Sequence, residues 1–289
     1  MTHQIIEESA PAKVNLYLEV TGRRPNGYHD LDSLVVFADV GERLTVEDAE
    51  DVSLKIKGPW AGALDGEADN LILKAARLLQ KRMGVTQGAR FTLEKHIPVA
   101  AGVGGGSADA AAALRALNRL WGLNLSEEAL CKFGLELGAD VPVCVRSRTS
   151  RFLGIGDEVS DGPVLPPDMG LVLINPRIAV STKDVFSRVN IATSGTEGYP
   201  DQFGTFEGLK KWLVSRRNDL EGPAKDLAQD ISTCLSQLEF HTPGSFVAMS
   251  GSGATCFALC SSIGQARNSV EKISRNFPSW WVWSGGFLP

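Results

Sequence analysis

The sequence predicts an α+β protein of two domains, and three observations carry that prediction. A strictly alternating strand lies near the amino terminus, a glycine-rich loop feeds an alanine-rich helix in the first half, and a Gly/Pro-rich passage at 162–169 separates off a second half with its own strands and helices. The expected division is 1–163 and 164–289.

Residues 12–20 place Val14, Leu16, Leu18 and Val20 on one face of a strand and Lys13, Asn15, Tyr17 and Glu19 on the other. Pro25-Asn26-Gly27 makes a turn, and 34–40 reads as the partner strand of a long hairpin. Further strands are expected at 44–46, 52–56 and 91–95, with a helix capped by Asp69 and running to Arg82. Helices follow at 107–120 and 126–137, then strands at 141–146 and 150–153. The second half offers a strand at 170–175, a helix at 182–189, a loop at 192–204, helices at 206–214 and 223–238, and strands at 246–250, 255–260 and 280–283. Their succession, with one more helix before the last strand, fits an antiparallel sheet with helices on one face.

At 289 residues and 43% hydrophobic, the chain is long enough for one large or two medium cores. Its 29 basic and 34 acidic residues give a net charge of −5, which argues against a nucleic-acid or anionic-membrane partner while leaving a local basic cleft open. The opening MTHQIIEESAPAK lacks a signal-peptide layout, and no run approaches the roughly 18 apolar residues of a membrane span, so a cytoplasmic protein is expected, with monomer and weak dimer both left open. Cys131, Cys144, Cys234, Cys256 and Cys260 are an odd set without a CxxC pair, and the four histidines show no metal-ligand spacing. The cysteines read as reduced, mostly buried thiols.

The segment Pro98-Val99-Ala100-Ala101-Gly102-Val103-Gly104-Gly105-Gly106-Ser107-Ala108 carries the most chemistry. Its glycines let backbone N–H groups crowd a ligand, and a helix opening at Ser107 would aim its positive dipole end there, which points to phosphate. A mobile loop would also tolerate glycines, but seldom leads straight into helix formers such as those at 110–117. A Walker A loop is disfavoured because no lysine follows Gly106, and a dinucleotide fold because Ser107 stands where a third glycine is needed. Asp140, in LGADVPVC, sits at a tight joint between a helix and an apolar strand, and on composition alone a turn role is the stronger reading. Lys13 alone fits a solvated strand residue equally. The stretch 250–255, SGSGAT, is either a bare hairpin turn or a second backbone clamp.

Together with the opening strand, these motifs in this order resemble the GHMP kinases, the family of galacto-, homoserine, mevalonate and phosphomevalonate kinases. More closely, APAKVNLYLEVTGRRPNGYHDLDSL, PVAAGVGGGSADAAAAL, LGADVPVC, NDLE and SGSGAT resemble the members that act on a cytidine-diphosphate-linked methylerythritol in the non-mevalonate isoprenoid route. The match runs from Ala10 to Thr255, and nothing in 191–204 resembles the family. The resemblance implies a two-domain GHMP kinase fold, with a ribosomal S5 domain 2-like N-terminal domain and a ferredoxin-like C-terminal domain. It implies ATP and Mg2+ as cofactors and phosphorylation of the 2-hydroxyl of that small-molecule alcohol. The loop 98–108 would wrap the ATP phosphates with Ser107 near the metal, whose ligands stay unassigned. Asp140 would be the base, with Lys13 beside it keeping the carboxylate ionised and Asn15 on the same strand face as Lys13. Tyr28 and His29, structural as a bare pair, would hold the cytosine, and Phe186 would stack on its other face.

Other readings remain open. Another sugar or alcohol kinase of the family would lack the Tyr28-His29 pair. A nicotinamide or flavin oxidoreductase is opposed by the missing third glycine and ribose-binding acid. A ribosomal or translation-factor-like domain is opposed by the acidic charge and by Lys13 and Asp140.

Overall fold

The structure, a computed structural model, describes residues 4–64, 70–99, 101–191 and 199–288. It divides into two compact units, one of Met1–Ala12, Val40–Val99 and Gly104–Ser147, the other of Lys13–Asp39, Ala100–Val103 and Arg148–Pro289. Strands β1 (Ile5–Arg23) and β2 (His29–Ala49) pair with each other, and each contributes residues to both units.

In the first unit the end of β2 pairs antiparallel with β4 (Gly88–Glu94), which pairs parallel with β3 (Val52–Lys57). Among the described residues its α-helices are α1 (Leu71–Met83), α2 (Gly105–Leu120), α3 (Glu127–Leu137) and α4 (Val141–Arg146). Helix α2 packs against α1, α3 and α4. Its alanines at 110–113 are fully buried, which lets the helices approach closely. The cap of α1 is Asn70, whose side chain accepts from the Ile72 N–H; Asp69, expected in that role, lies outside the described residues. Ser126 caps α3 as expected.

The expected strand at 141–146 is instead helix α4. A short apolar run does not distinguish a buried strand from a buried helix, and Pro142 stands in the first turn, where its missing N–H does no harm.

In the second unit the start of β2 pairs with β5 (Ser150–Gly154), which pairs with β6 (Glu158–Asp161), a mostly exposed strand without an apolar pattern to announce it. A separate antiparallel sheet has the order β10-β7-β9-β8, formed by β7 (Gly170–Asn175), β8 (Phe246–Met249), β9 (Cys256–Cys260) and β10 (Trp281–Gly285). The helices are α5 (Thr182–Phe186), α6 (Phe206–Val214), α7 (Glu221–Leu227), α8 (Asp230–His241) and α9 (Ile263–Asn276). Helices α8 and α9 pack on this sheet, and its strand order with α9 between β9 and β10 is ferredoxin-like. Val172, Ile174, Ile231, Leu238, Ala258 and Ile273 are fully buried in the resulting core. Each large aliphatic among them contributes about 1.5–3 kcal/mol of transfer free energy. The single helix expected at 223–238 is two, because Ala228 is extended at φ −147 and separates α7 from α8. The loop residues 192–198 lie outside the described residues.

All five cysteines are free thiols, four buried and Cys131 partly so. No described helix is long and apolar enough to cross a membrane.

Candidate active site

Alternation gave β1 a polar face, but burial makes that face unusual. Lys13, Asn15, Tyr17 and Glu19 are only 3%, 0%, 1% and 3% exposed, so the solvated-strand reading of Lys13 fails. Buried polar groups require partners, and most of these are found within the second unit. The Lys13 N–H donates to the Val103 carbonyl at 2.9 Å, and Lys13 Nζ lies 5.7 Å from the Phe152 ring centroid. The Asn15 N–H donates to Ser250 Oγ at 3.1 Å and its Nδ2 to Ser33 Oγ at 2.8 Å. Ser250 Oγ in turn donates to the Gly102 carbonyl at 3.2 Å, and the Thr255 N–H donates to the Ala101 carbonyl at 3.1 Å. The stretch 250–255 is therefore more than a bare hairpin turn: it grips the segment 101–103.

Asn15 Oδ1 is buried without a hydrogen-bond partner. An unmet buried acceptor costs about 1–3 kcal/mol, a deficit that a donating ligand would remove. Further along the strand, the Tyr17 hydroxyl donates to Asp32 at 2.7 Å, and Arg151 grips Asp32 through Nε at 3.0 Å and Nη2 at 2.6 Å. Burial pushes the Tyr17 hydroxyl far up, so it stays protonated as a donor.

The NDLE motif is the tie behind this face. Asn218 Nδ2 donates to the Met249 and Gly251 carbonyls, both at 2.8 Å, and Asp219 Oδ2 accepts the Val20 N–H at 2.7 Å. Sequence reasoning quoted the motif but not this role, nor those of Ser33 and Thr255.

The glycine-rich loop is dictated by its backbone. Gly102 and Gly104 have φ +74 and +68, in the left-handed region, and a Cβ on Gly102 would overlap the Gly253 carbonyl. Helix α2 opens at Gly105 rather than at Ser107, with Gly104 as a cap residue that has no side chain to offer. Ser107 thus falls inside the first turn, and its hydroxyl takes no part in capping. The first N–H groups of α2 have no side-chain cap, an arrangement suited to phosphate oxygens. Pro98, Ala101, Val103 and Ala108 are buried supports, Val99 and Gly106 are more open, and Ala100 lies outside the described residues.

Beneath this opening, in the first unit, Lys95 Nζ lies 2.8 Å from Asp109 Oδ2 and 3.1 Å from Glu42 Oε1. Burial pushes the Asp109 carboxyl up to about 6 despite Lys95, and the two carboxylates hold Lys95 above its ordinary value against burial. Glu42 lies far along the chain from Lys95 and Asp109, which are 14 residues apart, and these three charges gave no sequence signal.

Asp140 joins two helices, α3 and α4, instead of a helix and a strand. It is half-buried at φ −84 in the turn between them, and its side chain makes no cap hydrogen bond to α4. It belongs to the first unit, whereas Lys13 belongs to the second. In the second unit Tyr28 is 58% exposed just past the Gly27 turn, while the His29 ring stacks on Phe186, with centroids 5.2 Å apart and an interplanar angle of 27°. Burial, with help from Arg23, holds the His29 imidazole below its ordinary value, so it is neutral at neutral pH. Among the described residues no group of three or more His, Cys, Asp or Glu is placed to hold a metal.

In the first unit the uncapped opening of α2 offers backbone N–H groups suited to phosphate oxygens, and in the second the glycine turn at 250–255 grips the segment 101–103. The sequence profile of the GHMP kinases N terminal domain matches residues 70–148, and that of the GHMP kinases C terminal matches 202–279. The chain belongs to the GHMP kinases and is an ATP-dependent phosphotransferase. It is 46% identical over 281 residues to a 4-diphosphocytidyl-2-C-methyl-D-erythritol kinase of Parvibaculum lavamentivorans, covering 96% of each chain. It is 49% identical over 280 residues to a protein of the same name from Cereibacter sphaeroides, covering 96% of this chain and 97% of that one. Among solved structures, a 4-(cytidine 5'-diphospho)-2C-methyl-D-erythritol kinase superposes with a TM-score of 0.75 at 32% identity, over 97% of this chain and all (100%) of the other. The homoserine kinase of Cytophaga hutchinsonii, at 18% identity, shares the fold with a TM-score of 0.69 over 99% of this chain and 96% of its own.

Proposed function

We propose that this chain transfers the γ-phosphoryl group of ATP to the 2-hydroxyl of 4-diphosphocytidyl-2-C-methyl-D-erythritol, a step of non-mevalonate isoprenoid precursor synthesis. The observation that carries this reading is similarity along nearly the whole chain to proteins bearing that kinase name, 46% over 281 residues in one case. In the reaction the hydroxyl oxygen attacks the γ-phosphorus, the bond to the β-phosphate bridging oxygen breaks, ADP leaves, and the hydroxyl proton passes to Asp140 as general base. Lys13 supplies positive charge against the developing alkoxide. Asn15, with its unmet Oδ1 acceptor, receives a donor from the bound alcohol. Tyr28, His29 and Phe186 hold the cytosine by ring contact and edge hydrogen bonds.

The loop 98–108 cradles the ATP phosphates, an assignment supported by its positive-φ glycines and the uncapped opening of α2. Ser107, in the first turn of α2, would hold Mg2+ through its hydroxyl, and the ion would neutralise charge on the nucleotide phosphates. We read 1–163 as the part that carries the ATP loop, Lys13 and Asp140, and 164–289 as the substrate-side part carrying Phe186 and the turn at 250–255. The substrate is a small molecule, and we place the reaction in the cytoplasm.

The deciding experiment incubates the protein with Mg2+, ATP and a panel of alcohols that includes the cytidyl compound, and follows ADP release and the phosphorylated product. Turnover with the cytidyl alcohol is expected. Turnover with a different sugar or alcohol alone would overturn the substrate.

A further inference from the structure

Lys95, Glu42 and Asp109 are charged residues that the reaction itself does not use. Their side chains are 4%, 0% and 6% exposed, and ions so placed lose several kcal/mol each of hydration. An apolar trio of similar volume would serve stability at least as well, so stability alone gives no reason for the ions. What distinguishes them is where they attach. Glu42 accepts the backbone N–H of His96, and that of Ile97 at 3.2 Å, on the two residues that precede Pro98 and the glycine-rich loop. Asp109 lies in α2 just past its first turn, the residue after Ala108 at which the loop ends. Lys95 bridges the two carboxylates, and its Nζ lies 3.4 Å from where a Cβ on Gly105 would be. The entry and the exit of the loop are thus fastened to one buried cation. Asp109 Oδ1 has no partner of its own, so that carboxylate depends on Lys95 through Oδ2.

We propose that Lys95, Glu42 and Asp109 are positioning residues that fix both ends of the glycine-rich loop, so that the first N–H groups of α2 keep their aim at the nucleotide phosphates. This inference rests on the reading of the loop as the ATP cradle, and on no choice of alcohol.

The test uses the full-length protein with Asp109→Asn and Glu42→Gln, which keep volume and remove charge, with Lys95→Met, and with the double variant Lys95→Met and Asp109→Asn. Calorimetric titration with ATP and steady-state kinetics with both substrates are read beside thermal unfolding. Each single variant is expected to raise the Kd and KM for ATP at least tenfold, with the KM for the alcohol within about twofold of wild type. The double variant is expected to lose less than the product of the Lys95→Met and Asp109→Asn effects, because it removes the pair together. A lower Tm with unchanged ATP affinity would reduce the three to structural ions and overturn the proposal, as would equal rises in both KM values. Should Asp109→Asn fail to fold, Glu42→Gln still tests the entry side of the loop. Because ATP titration needs no acceptor, lost ATP binding in a folded variant supports the proposal even where no cytidyl alcohol is turned over.

Discussion

The glycine-rich loop and the Tyr28-His29 segment are assigned to the two substrates, and they are built from opposite materials. The loop is a backbone device: Gly102 and Gly104 hold left-handed φ values, and a Cβ at Gly102 would overlap another strand turn. The Tyr28-His29 segment is a side-chain device, with an exposed phenol ring and an imidazole stacked on Phe186 from a distant helix. A backbone device is confined to glycine and so announces itself in a sequence. A side-chain device becomes recognisable only when the fold has brought its parts together.

The largest effect separates chemistry from both devices. Asp140→Asn should lower turnover by roughly 10²–10⁴-fold while ATP titrates normally, and near-normal turnover would remove Asp140 from the base role. Lys13→Ala should also act on turnover, and the double variant should be far less than additive if the two groups serve one step.

Next comes the backbone device. Gly105→Val is the cleaner test than a change at Gly104, where the left-handed φ would strain any other residue. It should weaken ATP binding at least tenfold, about 1.4 kcal/mol, in a protein that still unfolds cooperatively. A folded variant with full ATP affinity would show that phosphates do not rest on this backbone.

The side-chain device should respond to the opposite ligand. Tyr28→Ala and His29→Ala should each raise the KM for the cytidyl alcohol by the roughly 5–150-fold that corresponds to about 1–3 kcal/mol, leaving the KM for ATP within twofold. Loss of ATP affinity instead would erase the distinction between the two regions.

The smallest effect is one of pH. Since the His29 pKa is lowered, its imidazole is neutral above neutrality, so the KM for the cytidyl alcohol should be flat from about pH 7 to 9 and climb only below the ordinary imidazole range of about 6.5. His29→Ala should flatten that rise, and a wild-type inflection above pH 7 would contradict the lowered value.

Legibility in the sequence followed the same divide. The first strand, its turn at Gly27, the glycine loop and most second-half elements were readable because their signals are local: alternation, positive-φ residues and caps. Helix α4 was not, since VPVCV suits either buried form and only packing decides. Ser33, Asn218 and the Lys95 cluster were invisible as a site because their partners lie far along the chain, where isolated polar residues look like solvated surface. Asn15 was placed by its face, but its unmet acceptor needed three dimensions.

The burial of Lys13–Val20 on both faces bears on how the protein breathes. A strand with no solvent-facing side opens to exchange only when the packing around it opens, so its amides belong with the slowest-exchanging in the chain. Lys13 is therefore carried by a part of the molecule that does not fray while the native state persists. Tyr28, a few residues onward in an exposed turn, is free to reorient many times within one such opening. The same hairpin thus carries a buried charge and an exposed ring whose freedom to move differs with their burial.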